Sequence, residues 1–211
     1  MTWPDIRATY DAVATEYADA FAGELANKPF DRALLDEFSA RVDGPVFDVG
    51  CGPAGHVTRY LVDRGVRIVG VDVSPVSVAE ARRRNPNMDF RIGDLRAIPA
   101  ADAALAGVIA FYSAIHLPRA ELPVAFAELA RVLAPDGTLL LAMHAGVGET
   151  GVDEWFGREV SVRVTLVDSD ELTRLVESAG LTVVERYERR PYPSEYPTPR
   201  LYVVARRTPL S

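Results

Sequence analysis

Gly50, Gly52 and Gly55 fall in the spacing G-x-G-x-x-G within the stretch VFDVGCGPAGHVT at positions 46–58. A glycine turn of this kind lets the backbone approach a ligand closely, because no Cβ stands in the way. Asp72 follows 20 residues after Gly52, at the end of a second apolar run, where a carboxylate can accept hydrogen bonds from ribose hydroxyls. The glycines alone are a weak signal. The ordered set of strand, glycine turn, helix, second strand and terminal acid is more specific, and it points to a nucleoside-binding crevice.

Asp48 separates two classes of nucleoside ligand. A carboxylate two residues before the first glycine would repel the pyrophosphate of a nicotinamide dinucleotide. A ligand carrying an ammonium and a sulfonium would favour it, and S-adenosylmethionine is such a ligand. A nicotinamide-dependent oxidoreductase, NAD(P)-linked, is the competing reading. It is disfavoured by Asp48 and by the lack of a Tyr-x-x-x-Lys pair, since Lys28 is the only lysine in the chain. A third reading is a binding module without catalysis, because binding and turnover use the same motif.

At this point the sequence resembles the class I S-adenosylmethionine-dependent methyltransferases, in particular their small-molecule "type 11/25" branch. The family's first motif, acid-x-Gly-x-Gly-x-Gly, is matched by Asp48, Gly50 and Gly52, with Ala54 at the third glycine position and Gly55 after it. Cys51, between the first two glycines, belongs to the same turn and is read as a packing residue of the cofactor site, not as a nucleophile. The segment GVDVSP at 70–75 resembles the second motif. The resemblance implies that Asp72 holds the ribose and that Val73 lies beside the adenine. Gly93-Asp94-Leu95 is similar to the third, which places Asp94 near the adenine amine with Leu95 alongside. The segment FYSAIHL at 111–117 resembles the family's lining of the methionyl end and the substrate mouth, beginning with Phe111. The leading helix resembles one whose tyrosines, here Tyr10 and Tyr17, cover the cofactor. They are seven apart and so share a helical face. The cofactor implied is S-adenosyl-L-methionine, with S-adenosyl-L-homocysteine as product and a small molecule as methyl acceptor on O, N or C.

His116 is the candidate general base, since imidazole titrates near neutral pH and this residue stands at the expected substrate mouth. His144 has a similar, weaker claim, and His56 reads as a helix-start residue. Three histidines so dispersed, with one cysteine, do not suggest a metal site.

The elements that must position these residues alternate. Strands are expected at 45–50, 66–71, 88–92, 105–111 and 138–143, with helices at 54–64 and 75–84 and another from Pro118, whose Leu122, Phe126, Leu129 and Leu133 share one face. Ser74 and Asp168 can cap helices, the second running to Ala179 with Gly180 as its stop. Helices at 5–21 and 30–41 precede the first strand, and two strands at 181–187 and 200–205 close the chain. The glycine-rich stretch from His144 to Gly157 is too long for a routine connection and reads as a lid or insertion. This pattern predicts an α/β fold, a doubly wound, mainly parallel sheet covered on both faces. The family resemblance implies seven strands with the last antiparallel, and an N-terminal helical cap. One domain is expected, divided as 1–43 (cap), 44–143 (cofactor core), 144–165 (lid or insertion) and 166–211 (the rest of the sheet).

Composition sets the outer limits. The 211 residues are 48% hydrophobic and 25% charged, the balance of a globular chain. No apolar run approaches the roughly 18–20 residues of a membrane span, and the first residues lack the pattern of a leader. A cytoplasmic protein is the expectation, as monomer or homodimer. The net charge is −7, with nine acidic and four basic residues up to Asp43. That acidity argues against a nucleic-acid partner. The run Arg82-Arg83-Arg84 ends a helix, where cations suit the dipole.

Overall fold

The structure is a computed structural model that describes residues 5–208; positions 1–4 and 209–211, the ends of the single domain expected above, lie outside the described residues. Helix α1 (Ile6–Phe21) is capped by the Asp5 carboxylate, which accepts from Arg7 N, and α2 (Pro29–Arg41) starts on a proline. Then β1 (Val46–Val49), α3 (His56–Val62), β2 (Ile68–Asp72), α4 (Pro75–Arg84), β3 (Asp89–Ile92) and β4 (Leu105–Phe111) alternate. They are followed by α5 (Leu122–Val132), β5 (Leu133–His144), a hairpin of β6 (Glu149–Trp155) and β7 (Arg158–Thr165), α6 (Ser169–Ser178), β8 (Leu181–Arg189) and β9 (Arg200–Arg207). No described helix is long and apolar enough to cross a membrane.

Seven strands form one sheet in the order β3-β2-β1-β4-β5-β9-β8, with β9 antiparallel to both neighbours. The expected doubly wound sheet with a reversed last strand is what the chain forms. Period-two alternation fills both faces. Leu139, Leu141, Met143, Leu201 and Val203 pack with Phe126 and Leu129 of α5 on one side. Leu140, Ala142, Tyr202 and Val204 pack with Leu35 and Phe38 of α2 and Leu61 of α3 on the other. Of the first 43 residues, α1 lies against α4 and β7, while α2 takes a place in a sheet-covering layer.

The order reverses between β1 and β4, and the crevice outside the carboxyl ends of such strands is where ligands bind in open α/β sheets. Ser74 caps α4 by accepting from Ser77 N, and Asp168 caps α6 by accepting from Glu171 N.

Two local expectations are corrected. The helix expected from Pro118 begins at Leu122, after two 3-10 turns at Ala114–His116 and Arg119–Glu121. Leu133 leaves that helix and pairs with Leu105, so β5 starts five residues before Thr138. Pro135 disfavours helix at the residue before it. The register shifts between Leu105 and Gly107, and the Pro135-Asp136-Gly137 stretch becomes an irregularity inside the strand, with Asp136 at φ 63°. The stretch from His144, expected as a lid or insertion, takes the form of the β6–β7 hairpin, whose two-residue turn Phe156-Gly157 takes φ 55° and 71°. Positive φ at both central residues matches the twist of the paired strands.

Candidate active site

At the end of β1 the chain turns sharply. Gly50 N and Cys51 N donate to Val71 O at 2.7 and 3.1 Å, stitching the turn to β2. Gly50 sits at φ 83°, and a Cβ there would come within 2.1 Å of Ser113 Cβ, so only glycine fits. Gly52, at φ 64°, is different: an added Cβ would meet only Tyr17 Cε1, at 3.8 Å. Tyr17 and Gly52 therefore face each other with the crevice between them. Ala54, at the family's third glycine position, is fully buried beneath the turn, and Gly55 takes the left-handed conformation instead.

Asp72 holds the turn from β2. Its Oδ2 accepts from Gly52 N and its Oδ1 from Ser74 N, each at 2.9 Å. Asp48, buried on β1, accepts from Thr58 Oγ1 at 2.7 Å. Burial pushes both carboxyls up to about 6, because desolvation disfavours the charged form. Glu24 is a third acid on the crevice wall. Burial works against its ionisation, but hydrogen bonding and charge from His56 (2.8 Å) and Lys28 (2.7 Å) outweigh it and bring the carboxyl down to about 2. Burial raises the Cys51 thiol well above its ordinary value, which suits a packing role and not a thiolate.

Every residue expected in the cofactor set lines this one crevice: Tyr10, Tyr17, Asp48, Gly50, Cys51, Gly52, Asp72, Val73, Asp94, Leu95 and Phe111. His116 lines it too. Asp94 is half-exposed and clamped by Arg96, which donates from its backbone N (2.8 Å) and Nε (2.9 Å) and holds the carboxyl below its usual range. With α1 closed over it, the crevice keeps about 130 Å³ of free space.

A second cavity of about 560 Å³ adjoins the first. Its polar end carries Lys28, His144, Glu195 and Arg200, and its apolar walls include Phe21 and Trp155. Tyr10, Tyr17, Glu24, Tyr112 and His116 line both cavities and form the wall between them. His116 Nε2 lies 3.1 Å from Tyr10 Oη and its Nδ1 3.2 Å from the Arg163 carbonyl oxygen. Burial brings its pKa down to about 4. His144 is held by Thr198 Oγ1 at 2.5 Å, and burial together with the nearby Arg200 charge lowers it to about 3. His56 starts α3, as expected, but also reaches Glu24.

Sequence reasoning missed Glu24, His56 and Arg96 as lining residues. Glu24 stands in no motif, while His56 directly follows the glycine turn and Arg96 directly follows Gly93-Asp94-Leu95. Glu24 reaches the crevice through a short 3-10 turn, Glu24–Asn27, that follows α1.

The sequence profile of the "Methyltransferase domain" family matches residues 46–137, which hold the glycine turn, Asp72 and Asp94. The chain is 32% identical over 160 residues to malonyl-[acyl-carrier protein] O-methyltransferase of Serratia marcescens, across 74% of this chain and 62% of that protein. It is 32% identical over 141 residues to demethylmenaquinone methyltransferase of Beutenbergia cavernae, across 65% of this chain and 57% of that one. The chain thus spans little more than half the length of these curated relatives. Among solved structures, Burkholderia thailandensis 1,6-didemethyltoxoflavin-N1-methyltransferase, which carries bound S-adenosylhomocysteine, superposes with a TM-score of 0.72. That match has 22% identity over 97% of this chain and 88% of the other. With the motif order, the sheet order and the crevice in agreement, the matched region, residues 46–137, is a methyltransferase domain of the class I S-adenosylmethionine-dependent kind.

Proposed function

We propose that this protein transfers a methyl group from S-adenosylmethionine to an oxygen, nitrogen or carbon of a small molecule. The observation that carries the reading is the wall of carboxylates, Glu24, Asp48 and Asp72, around a glycine turn at the switch point of the sheet. Three acids suit a ligand with an ammonium and a sulfonium and repel a pyrophosphate. Two further features support the fit. The turn at Gly52 is a cradle that any side chain would fill. His56 Nδ1, in the crevice wall, is buried with no hydrogen-bond partner among the described residues, and such a group calls for a ligand atom.

In this reading Asp72 holds the ribose hydroxyls, Val73 and Leu95 flank the adenine, and Asp94 meets its amine. Asp48 and Glu24 supply negative charge at the methionyl end, with Gly50, Cys51, Gly52 and Phe111 shaping the wall. Bound S-adenosylmethionine supplies an electrophilic methyl group on a good leaving group. The chain's own contribution is mainly placement: the shared wall between crevice and chamber fixes where an acceptor can stand, and such positioning carries much of the barrier reduction in a displacement. Tyr10 and Tyr17, from α1, exclude water, and His116 manages the acceptor proton where there is one. The chain works as one domain with the divisions given above, α1 and the hairpin covering the site. Both cavities are walled by elements of a single chain, which suits a monomer or homodimer, and a lone buried thiol suits the cytoplasm.

Calorimetric titration with S-adenosylmethionine, S-adenosylhomocysteine and NAD tests the reading. The first two are expected to bind and NAD is not. Asp72→Ala should weaken S-adenosylhomocysteine by about 1–3 kcal/mol, the scale of a hydrogen bond to a charged group. NAD binding as tight as S-adenosylhomocysteine binding would overturn the assignment.

A further inference from the structure

His116 and Tyr10 meet across 106 residues of sequence at the wall shared by crevice and chamber. The hydrogen bonds fix the state of the imidazole. The Arg163 carbonyl can only accept, so Nδ1 carries the proton in the 3.2 Å contact. In a neutral ring Nε2 is then the bare nitrogen, and Tyr10 Oη must be the donor across 3.1 Å. The tyrosine oxygen accepts from Tyr17 with one lone pair and has a second with which it can meet another partner.

The pair is held rigidly. One residue before Tyr10, Thr9 Oγ1 donates to Ser161 O at 3.1 Å, which ties this turn of α1 to β7. Glu16 pairs with Arg158 at 2.5 Å two turns further on. The Tyr10 ring packs edge-on against Tyr17, Trp155 and His116, with centroids 5.4, 6.0 and 5.6 Å away. Arg163 and Ser161 both belong to β7, so the hairpin braces both members.

Other acids and bases on the two walls are already engaged. Glu24 is bound by His56 and Lys28. Glu195 is bound by Arg189 at 2.7 Å and accepts from Tyr192 N at 2.7 Å. His144 stands beside Arg200, whose charge opposes a second proton. Among the described residues of the shared wall, the Tyr10–His116 pair is the arrangement in which a hydroxyl oxygen leads directly to an unprotonated ring nitrogen. The chamber's aromatic walls, Phe21, Trp155, Tyr112 and Tyr196, suit a planar ring.

We propose that Tyr10 is a catalytic residue that takes the proton of a phenol-type acceptor hydroxyl while handing its own to Nε2 of His116. This rests on the methyl-transfer reading above. The acceptor oxygen gains a bond to carbon, the electron pair of the broken carbon–sulfur bond stays on sulfur, and the acceptor's proton ends as the second proton of the imidazole. The charge balances within the site: a sulfonium is neutralised as an imidazolium forms. A buried imidazolium that would be costly alone therefore replaces a cation already there. Burial then favours release of that proton to solvent when product leaves, since the ring prefers its neutral form. Tyr17 assists, because its hydrogen bond to Tyr10 favours the ionised phenol, against burial, which raises it.

The test has two arms. Nitrogen NMR of histidine-labelled protein saturated with S-adenosylhomocysteine should show His116 as the neutral Nδ1–H tautomer, and Tyr10→Phe should move the Nε2 resonance while keeping the tautomer. An Nε2–H tautomer, or an Nε2 resonance blind to Tyr10→Phe, overturns the proposal. The second arm follows S-adenosylhomocysteine formation with simple phenols, including catechol and 4-nitrophenol, and with the matching anilines. At saturating S-adenosylmethionine, where any change in cofactor affinity does not enter the rate, Tyr10→Phe should slow methylation of phenols by roughly 10²–10⁴-fold, the worth of general acid–base catalysis. Methylation of anilines alone, of none of the panel, or of phenols at the wild-type rate in Tyr10→Phe rejects it. Failure of wild type to bind S-adenosylhomocysteine would instead sink the methyltransferase reading, so the two failures are distinct.

Discussion

Cofactor binding should weaken as pH falls, and the structure sets where. Asp48 and Asp72 face the same crevice, and burial, the largest cause, pushes each carboxyl up to about 6. A cationic ligand prefers both ionised, so below that value it must displace protons to bind. One acid with a pKa near 6 is only about one-tenth ionised at pH 5, a loss of about tenfold in affinity or 1.4 kcal/mol. If both acids respond, the loss approaches 100-fold, or about 2.7 kcal/mol. Above about pH 7 the affinity should level off, since both are then ionised. Glu24, held near 2, and His116 and His144, held near 4 and 3, do not change state in this window. Calorimetry of S-adenosylhomocysteine between about pH 5 and 8, in buffers of different ionisation enthalpy, measures both affinity and protons released. Asp48→Asn should roughly halve the logarithmic slope below about pH 6. An affinity that is flat from about pH 5 to 7, or proton uptake on binding, would refute the assignment of these two acids to the ligand.

The same acids carry a folding cost in the empty protein. A carboxyl raised from 3.8 to about 6 favours folding below its unfolded value, and that contribution is lost as pH rises through about 6. Asp48→Asn, which keeps an oxygen for Thr58, should therefore raise the melting temperature of ligand-free protein at neutral pH by the equivalent of up to about 3 kcal/mol, and should barely change it near pH 4. Gly50→Ala should destabilise by about 2 kcal/mol or more through positive φ and overpacking, because its Cβ would press on Ser113 at 2.1 Å; chemical denaturation will show whether it does. Hydrogen exchange should slow in both α1 and the β6–β7 hairpin when S-adenosylhomocysteine is added, since Tyr17, which lines the crevice, packs with Phe21, Trp155 and Phe156 beside the adjoining chamber. Protection of the glycine turn without either segment would refute a two-part cover.

Much of the fold was legible because its determinants are local. Ser74 and Asp168 sit directly before helical periodicity, and both accept the backbone hydrogen bonds that their side chains suit. The apolar runs of β4 and of residues 139–143 within β5 announce strands buried on both faces. What local pattern could not fix are choices between competing signals. Leu133 continues the apolar face of α5, yet pairing with Leu105 takes it into the sheet. The glycine-rich stretch from His144 read as a lid or insertion, and only the pairing of β6 with β7 around Phe156-Gly157 gave it the form of a hairpin.

The site divides the same way. The sequence by itself determined which residues share the crevice, because the glycine turn, Asp72, Asp94 and Phe111 each end a strand, and a parallel sheet brings those ends to one edge. It also determined the sign of charge the crevice offers, through Asp48. Only tertiary structure decided the protonation states, since burial of Asp48, Asp72 and His116 is a property of everything packed around them. Only tertiary structure brought Glu24 and His56 together, and only it set Tyr10 on Nε2 of His116 with the Arg163 carbonyl behind the ring. Hydrogen bonds between residues 106 and 47 apart leave no period in the sequence. They exist because helix, strand end and hairpin converge at the point where the sheet reverses its order.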